Sequence, residues 1–413
     1  MILLRLLPVP LFLLLSSCAL TQQGTLADLR DVDIDIVDAK IDDGLEKAMK
    51  SYQKFLNETP ESALTPDAIR RLADLNVEKE YGVISDTKET KISKQNDIKK
   101  PETFSQVKTK EKTSSASQKA SEIADLKSES TKQFEKRAVS KEKLKVAKSS
   151  AVMPLPDGSN LDDLQTAGAK KAIALYLRLL KKFPMYAHKD QVLYQLSRAY
   201  EEIGNINSAM KVMNRLVKEY PRSRHFAEVQ FRRAEFYFTR KKLLDAEDAY
   251  KSILSIGKGT EFYELALYKQ GWTFYKQDLY EDALNHFIAL LDHKVSMGYD
   301  FAQKHNSSIK KRVYDTFRVI SLSFSNLGGA DTVISYFKKI GPKSYESDIY
   351  SFLAEFYLTK RRYSDAALTY KAFISNNKYH TLAPHISMRM IEIYHTGHFP
   401  KLVIEAKNDH ASA

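Results

Sequence analysis

The sequence is poor in the residues that build disulfide frameworks, tight turns and sheets. It has one cysteine, Cys18, so it cannot form an internal disulfide or a zinc site with several thiolate ligands. It has only 14 glycines and 12 prolines in 413 residues, but 23 tyrosines and 20 phenylalanines. Few chain-breaking residues and many aromatic rings disfavour a β-sandwich or a Rossmann-type enzyme and favour stacked helices.

Motifs of catalysis and metal binding are also missing. The sequence has no Gly-rich phosphate loop, no G-x-S-x-G elbow and no H-E-x-x-H pair. His395 and His398 flank Gly397 at a predicted turn, which disfavours a shared face for metal ligands. The acidic run at 28–38 lacks the glycine and the closing glutamate of a calcium loop. We therefore expect no catalytic residue, no metal and no cofactor.

Positive charge is concentrated in one segment. The formal net charge is +12, and residues 86–150 hold 17 Lys and Arg against 10 Asp and Glu. This stretch is rich in Lys, Ser, Glu and Thr, and its two aromatic residues, Phe104 and Phe134, are far apart. Such a composition cannot bury enough apolar surface to fold. We predict a disordered basic insertion over 83–160, within which Ser117–Lys148 could form a transient charged helix.

The N-terminus has the pattern of an export signal. Arg5 precedes an apolar run, Leu6–Leu15, which is too short to cross a bilayer but has the length of a signal-peptide core. Residues Leu15-Ser16-Ser17-Cys18 follow and resemble the lipobox of bacterial lipoproteins. The alternative is an ordinary secretory signal in which Cys18 merely lies near the cleavage site.

The lipobox resemblance implies a location for the protein. Residues 1–17 would be a lipoprotein signal peptide and Cys18 the lipidated N-terminus. Asp at the next position favours retention in the inner membrane, and this chain has Ala19 there, so we expect the periplasmic face of the outer membrane. An exported protein meets no genome, and we expect no nucleic-acid partner. The basic segment 86–150 is then a solvated linker or a contact with peptidoglycan or anionic lipid.

A repeat of 37 residues is the strongest signal in the sequence. Small residues recur at this interval, at Ala172, Ala209, Ala246 and Ala283. Four positions later comes a large side chain, at Tyr176, Met213, Tyr250 and Phe287, and three positions further an aliphatic one, at Leu179, Leu216, Ile253 and Leu290. This spacing places all three on one face of a helix. Pro184 and Pro221 then end the first two helices.

A second helix precedes each alanine. It has a small residue in its middle and an aromatic residue three positions on, as in Ala234 with Tyr237 and Gly271 with Phe274. Together the two helices resemble the tetratricopeptide repeat (TPR), in which helix A and helix B form a hairpin. The resemblance implies an all-α, TPR-type solenoid. The interval of 37 rather than 34 residues departs from the family pattern and is most easily absorbed in the loop after helix B.

The same pattern extends towards both ends of the chain. Ala48, Tyr52, Phe55 and Pro60 reproduce helix B, and 67–81 has the pattern of a helix A. The next helix B is Gly168–Phe183, so we predict that the basic insertion lies within the turn of one hairpin.

Towards the C-terminus, further B helices are predicted at Ala330–Phe337 and Ala366–Phe373. The last helix A covers Ile386–Tyr394. Its partner stops at Ala413 before any capping helix, which predicts a truncated chain or a frayed last helix. The predicted domains are 18–82, TPR-like helices; 83–160, the insertion; and 161–413, the solenoid.

The TPR resemblance implies where partners bind, because A helices line the concave, peptide-binding face in that family. The side chains expected to line such a groove are Tyr194, Arg198, Glu201, Phe231, Glu235, Phe238, Tyr268, Trp272 and Tyr275. Tyr268, Trp272 and Tyr275 form one helical stripe that includes the only tryptophan. The alternative is that this stripe is core between repeats.

These observations favour a protein that is not an enzyme. The expected function is a scaffold anchored to the outer membrane, with envelope proteins as partners in assembly, division or motility machinery. The alternative is a peptidoglycan-associated adaptor that regulates cell-wall enzymes. In the adaptor the basic insertion supplies affinity for the wall.

Overall fold

The computed structural model describes residues 44–81, 129–140, 161–301 and 307–412. Every regular element within these ranges is an α-helix, and none is a strand. The chain divides into two compact units, 1–48 and 49–413, and only residues 44–48 of the first unit are described. The predicted signal peptide, Cys18 and the acidic run at 28–38 lie outside the described residues.

Sixteen helices are present in the described ranges. The first four are α1 (Gly44–Glu58), α2 (Thr65–Tyr81), α3 (Thr131–Ala138) and α4 (Leu161–Lys182). The next six are α5 (Lys189–Glu202), α6 (Ile206–Glu219), α7 (Phe226–Thr239), α8 (Leu243–Leu254), α9 (Tyr263–Tyr275) and α10 (Tyr280–Ser296). The last six are α11 (Ser307–Leu327), α12 (Ala330–Ile340), α13 (Glu346–Thr359), α14 (Tyr363–Asn376), α15 (Ala383–Thr396) and α16 (Pro400–Ser412).

Helices α5 to α16 form six consecutive hairpins, each with an A helix followed by a B helix. The A helices are α5, α7, α9, α11, α13 and α15, and each packs against the B helix that follows it. Each hairpin also packs against the next one along the chain. This arrangement confirms the all-α, hairpin-based fold that the 37-residue repeat predicts.

The repeated small residues allow the helices of a hairpin to approach closely. Ala172, Ala209, Ala246 and Ala283 are all fully buried. In the third hairpin the A helix contributes Gly271, and a Cβ at this position would lie 2.8 Å from the ring of Phe287. Glycine is therefore required here by the aromatic residue of helix α10.

The turn between the two helices of a hairpin has a left-handed residue at a constant position. Gly204, Lys241 and Asp278 have φ angles of 71°, 59° and 60°, at intervals of 37 residues. Arg361 and His398 repeat the feature with φ angles of 56° and 61°. Left-handed backbone is costly for side chains other than glycine, so the fold imposes this conformation on four non-glycine residues.

Helices α2 and α4 form one hairpin although residues 82–160 separate them in the sequence. Ile69, Ala73 and Val77 of α2 share a buried cluster with α4 residues that include Tyr176. The Tyr176 hydroxyl donates a hydrogen bond of 2.5 Å to Asp74 Oδ1. Burial, followed by the Asp74 charge, raises the pKa of Tyr176 well above its usual value.

Part of the predicted insertion is folded. We predict 83–160 as one disordered segment, but residues 131–138 form helix α3 and pack on the hairpins. Helix α3 lies within the stretch 117–148, for which a transient charged helix is predicted. Composition does not predict that the helix is docked, because a single buried residue, Phe134, and paired charges replace the usual apolar face. The segment 83–128 and the segment 141–160 lie outside the described residues. No helix among the described residues has both the length and the apolar character needed to cross a bilayer.

Candidate functional site

Helix α3 lies on a surface that we call the A-helix face, formed by α9, α11 and α13. The helix begins with a capping box. Ser130 Oγ accepts a hydrogen bond from the Gln133 backbone N–H at 3.3 Å, and Gln133 Oε1 accepts one from the Ser130 backbone N–H at 3.0 Å. An isolated helix of eight residues is not stable in water even when it is capped. Contacts with the A-helix face therefore stabilise it.

Phe134 is the apolar anchor of α3 and is 0% exposed. Its ring centroid lies 5.6 Å from that of Trp272 on α9. On α11, the guanidinium carbon of Arg318 lies 4.2 Å from the Phe134 ring centroid, which is a cation–π contact. Phe134 belongs to the same buried hydrophobic cluster as the core residues of α7 to α16.

A network of four charged side chains holds α3 on α11. Arg137 donates hydrogen bonds of 2.7 and 2.8 Å to the two carboxylate oxygens of Asp315. Arg137 also donates two hydrogen bonds of 3.0 Å to Glu129. Glu129 in turn accepts a hydrogen bond of 3.0 Å from Arg318. The hydrogen bond with Asp315 is the largest cause of the raised pKa of Arg137. Such bidentate charge-assisted pairs are both strong and geometrically specific.

The C-terminal half of α3 and Ser140, two residues after it, contact α9. Lys269 is fully buried, and its ammonium group donates a hydrogen bond of 3.1 Å to the Ser140 carbonyl oxygen. The same ammonium lies 3.2 Å from Glu235 Oε1. Glu135 pairs with Lys276 and accepts a hydrogen bond of 3.4 Å from the Tyr275 hydroxyl. A buried ammonium is expensive unless it is paired, so Ser140 and Glu235 together stabilise Lys269.

A cavity of about 430 Å³ continues the A-helix face beyond the N-terminal end of α3. Thr131 of α3 forms part of one wall, and Tyr314, Phe352 and Phe356 contribute aromatic rings to the lining. Glu355 and Lys360 add charges. The size and mixed lining suit one or two side chains of a bound peptide.

The predicted aromatic stripe lies directly beneath α3. Tyr268, Trp272 and Tyr275 are 3%, 0% and 8% exposed. Trp272 contacts both tyrosines edge-on, with centroids 6.4 and 5.3 Å away. Its contact with Phe134 places the stripe on the A-helix face, and all three side chains are buried as core residues are. A segment of the same chain covers the stripe, and its role as a groove for a partner peptide stays a prediction.

The α7 residues predicted for the groove have different surroundings. Phe231 packs between Tyr250 and Phe262, with centroids 5.9 and 5.6 Å away, so it is core and does not line a surface. Glu235 accepts a hydrogen bond from the Tyr250 hydroxyl and pairs with Lys269. The Lys269 ammonium lies 5.8 Å from the ring centroid of Phe238. Glu235 and Phe238 therefore support Lys269, which contacts the segment after α3.

The predicted residues of α5 form a separate polar cluster with α7. Tyr194 stacks on His225 with centroids 4.0 Å apart, and its hydroxyl donates a hydrogen bond of 2.8 Å to Glu228. Arg198 lies 5.7 Å from the Tyr194 ring centroid. Glu201 pairs with Arg232. Tyr194 and Glu201 thus join adjacent A helices, and Arg198 contacts Tyr194 within α5. This cluster is distant along the chain from the α3 contacts.

Several residues of the site are absent from the sequence-based prediction. They are Glu129, Phe134, Arg137, Lys269, Asp315 and Arg318. One local signal does mark α3, because Ser130 and Gln133 have the S-x-x-Q spacing of a capping box. No local signal in α11 identifies Asp315 and Arg318 as its partners.

Metal-binding groups are not found in the part of the chain that the structure describes. No set of three or more His, Cys, Asp or Glu side chains there is arranged to hold an ion. His398 is the left-handed residue between α15 and α16, and His395 lies in the last turn of α15.

Comparison with known proteins identifies one repeat in the chain. Residues 191–223 match the model of the tetratricopeptide repeat, a range that includes most of α5 and all of α6. No curated protein sequence matches the chain significantly. A solved tetratricopeptide repeat protein from Parabacteroides merdae is 13% identical, with 60% of this chain and 95% of that chain covered and a TM-score of 0.29. The apo form of RapI is 14% identical, with 90% of this chain and 95% of that chain covered and a TM-score of 0.35. The described part of the chain is thus built of helical hairpins, and one of them, at residues 191–223, matches the tetratricopeptide repeat.

Proposed function

We propose that this protein is a non-enzymatic scaffold that binds protein partners through its A-helix face. The observation that supports this proposal is the helix already bound there. Phe134 inserts its ring between Trp272 and Arg318, and Arg137 pairs with Asp315. Buried aromatic anchors with charge-assisted hydrogen bonds around them are typical of protein interfaces. The open cavity beside α3 extends the same surface.

Photo-crosslinking from single positions tests this function. A photoreactive residue replaces Glu355, which lines the cavity and is exposed, or Leu368, which is 50% exposed on the B helix α14. A scaffold that uses the A-helix face gives protein adducts from position 355 and few from position 368. Equal adducts from both positions, or none from either, would contradict the proposal.

We also propose that Cys18 anchors the protein to the periplasmic face of the outer membrane. The proposal rests on the resemblance of Leu15–Cys18 to a lipobox and on Ala19 after it. Acyl chains supply about 0.8 kcal/mol of membrane affinity for each buried methylene. The substitution Cys18→Ala should move the protein from the membrane fraction to the soluble periplasm. A variant that stays membrane-bound, with no lipid on the wild type by mass spectrometry, excludes this anchor.

A second candidate function is a peptidoglycan-associated adaptor. The observation in its favour is the excess of positive charge at 86–150, with 17 Lys and Arg against 10 Asp and Glu. Co-sedimentation with isolated sacculi that disappears when these lysines are neutralised supports the adaptor. Partners that remain bound after digestion of the wall support the scaffold.

A further inference from the structure

We propose that α3 is an internal copy of the ligand of the A-helix face. The partner is then a helical peptide that presents a phenylalanine, an acidic residue five positions before it and an arginine three positions after it. These are the positions of Phe134, Glu129 and Arg137 in this chain. The inference rests on the proposed function and specifies the chemistry of the partner and its regulation.

The contacts of α3 are those of a bound peptide. The helix is too short to be stable alone, and its segment is held through one buried ring and three ion-paired side chains, those of Glu129, Glu135 and Arg137. Lys132 and Lys136 are exposed, as is expected for the outer side of a docked helix. This division between one binding side and one polar side is the pattern of a helix in a groove.

The charges on the A-helix face specify the charged side chains of the ligand. Asp315 and Arg318, three positions apart on α11, form one network with Arg137 and Glu129. Arg137 and Glu129 also pair with each other, so the acid and the arginine must lie at the spacing that lets them meet. Like-charge pairs at an interface suppress incorrect partners. The face therefore selects for an acid, a phenylalanine and an arginine at these spacings.

Because α3 is part of the same chain as the A-helix face, it competes with any external peptide for that face. Residues 82–128 and 141–160 connect α3 to α2 and α4, so its local concentration at the face is on the order of 1 mM. A free peptide of equal intrinsic affinity, with a Kd of about 10 µM, would bind the wild type about 100-fold more weakly than it binds an emptied face. Partner binding is thereby limited until α3 is displaced.

The test uses the full chain and a fluorescent peptide with the sequence of residues 129–140. The doubly substituted chain Phe134→Ala, Arg137→Ala empties the face, and the chain Lys132→Ala, Lys136→Ala is the matched control in the same helix. Fluorescence anisotropy should show tight binding to the first chain. The control and the wild type should bind at least about 30-fold more weakly.

Two substitutions test the recognition pattern. A peptide that carries Phe134→Ala should lose binding to the emptied chain. Adding Asp315→Asn to that chain should abolish its preference for the natural peptide over one that carries Arg137→Gln. An unchanged preference would show that the bound peptide does not use the α3 register and would overturn the inference.

Folding of the emptied chain is checked first by circular dichroism. If it unfolds, the single variant Arg137→Ala is used in its place, and if that chain also unfolds, α3 is part of the core and the inference is wrong. A folded, emptied chain that fails to bind the peptide also shows that the inference is wrong. Light scattering measures the oligomeric state of both chains. If the wild type is a dimer and the Phe134→Ala, Arg137→Ala chain is a monomer, a second copy of the chain is the occupant and the inference is wrong.

Crosslinking from position 355 of the emptied chain separates this inference from the proposed function. If adducts form but the peptide does not bind, the inference about α3 is wrong and the proposed scaffold function stands. If neither adducts nor peptide binding is observed, the inference and the proposed function are both wrong. Where adducts form, the crosslinked segment of the partner should contain the acid, phenylalanine and arginine at the stated spacing, and a segment without them contradicts the inference.

Discussion

Arg137 and Asp315 lie 178 positions apart in the sequence and form two hydrogen bonds of 2.7 and 2.8 Å. The Asp315 side chain is 6% exposed and that of Arg137 27%. Because Asp315 is almost completely buried, loss of Arg137 would leave an uncompensated buried charge, which is costly. It connects the middle of the insertion to the fourth of the six consecutive hairpins.

Removal of the arginine should loosen α3. In the variant Arg137→Ala, we expect docking to weaken by about 2 kcal/mol, the typical effect of losing hydrogen bonds to a charged group. Amide exchange at Phe134 should then accelerate about 30-fold, and acrylamide should quench Trp272 more readily. The exposed neighbour provides a control, because Lys136→Ala should change neither measurement. Unchanged exchange in Arg137→Ala would show that the pair does not hold the helix.

Buried tyrosines should make the fold sensitive to alkali. Burial, assisted by a hydrogen bond of 2.7 Å to Asp292, raises the pKa of Tyr345 well above its usual value near 10. The unfolded chain releases this proton above pH 10 and the folded chain keeps it. The free energy of unfolding is therefore independent of Tyr345 below that pH, and it falls by up to about 1.4 kcal/mol per pH unit above it.

Urea unfolding at pH 8 to 11 measures this effect. The substitution Tyr345→Phe should make the decline above pH 10 less steep. Tyr379 is fully exposed and is the matched control, since Tyr379→Phe should leave the slope unchanged. Equal slopes for all three proteins would contradict the assignment of alkaline sensitivity to Tyr345.

The left-handed turn residues predict a stabilising substitution. Lys241 has a φ angle of 59° and is exposed, so Lys241→Gly removes backbone strain without loss of packing. We expect the free energy of unfolding to rise by about 1 kcal/mol. The neighbouring residue Lys242 has a φ angle of −85°, and Lys242→Gly should lower stability. Thermal unfolding of both variants is the measurement, and a lower melting temperature for Lys241→Gly would refute the argument.

Close packing in the third of the six hairpins predicts a destabilising substitution. In Gly271→Ala the new Cβ meets the Phe287 ring at 2.8 Å, so either the ring or the two helices α9 and α10 must shift. We expect a loss of about 1 to 3 kcal/mol, which is typical of overpacking. Adding Phe287→Leu should recover part of this loss, and urea unfolding of the single and double variants would reveal the coupling. Additive effects would mean that the two residues do not meet.

The hairpins could be predicted from sequence because their determinants are local. Ala209 and Ala246 lie at fixed distances from the bulky residues of the same helix, and their burial follows from that spacing. Local spacing could not predict that helix α3 covers the aromatic stripe. The contact of Phe134 with Trp272 joins distant parts of the sequence, and nothing near either residue indicates the other. Spacing identifies the exposed side of a helix, but it does not identify what binds there.

The pairing of α2 with α4 has a consequence for proteolysis. Residues 82–160 begin and end at helices that are held to each other by Ile69, Ala73 and Tyr176. A single cut within 82–128 would therefore yield two fragments that remain associated without a covalent bond. The fragment that contains Cys18 would keep α2, whose contacts with α4 bind it to the rest of the protein. Such a nick would pass unnoticed in gel filtration and appear only under denaturing conditions.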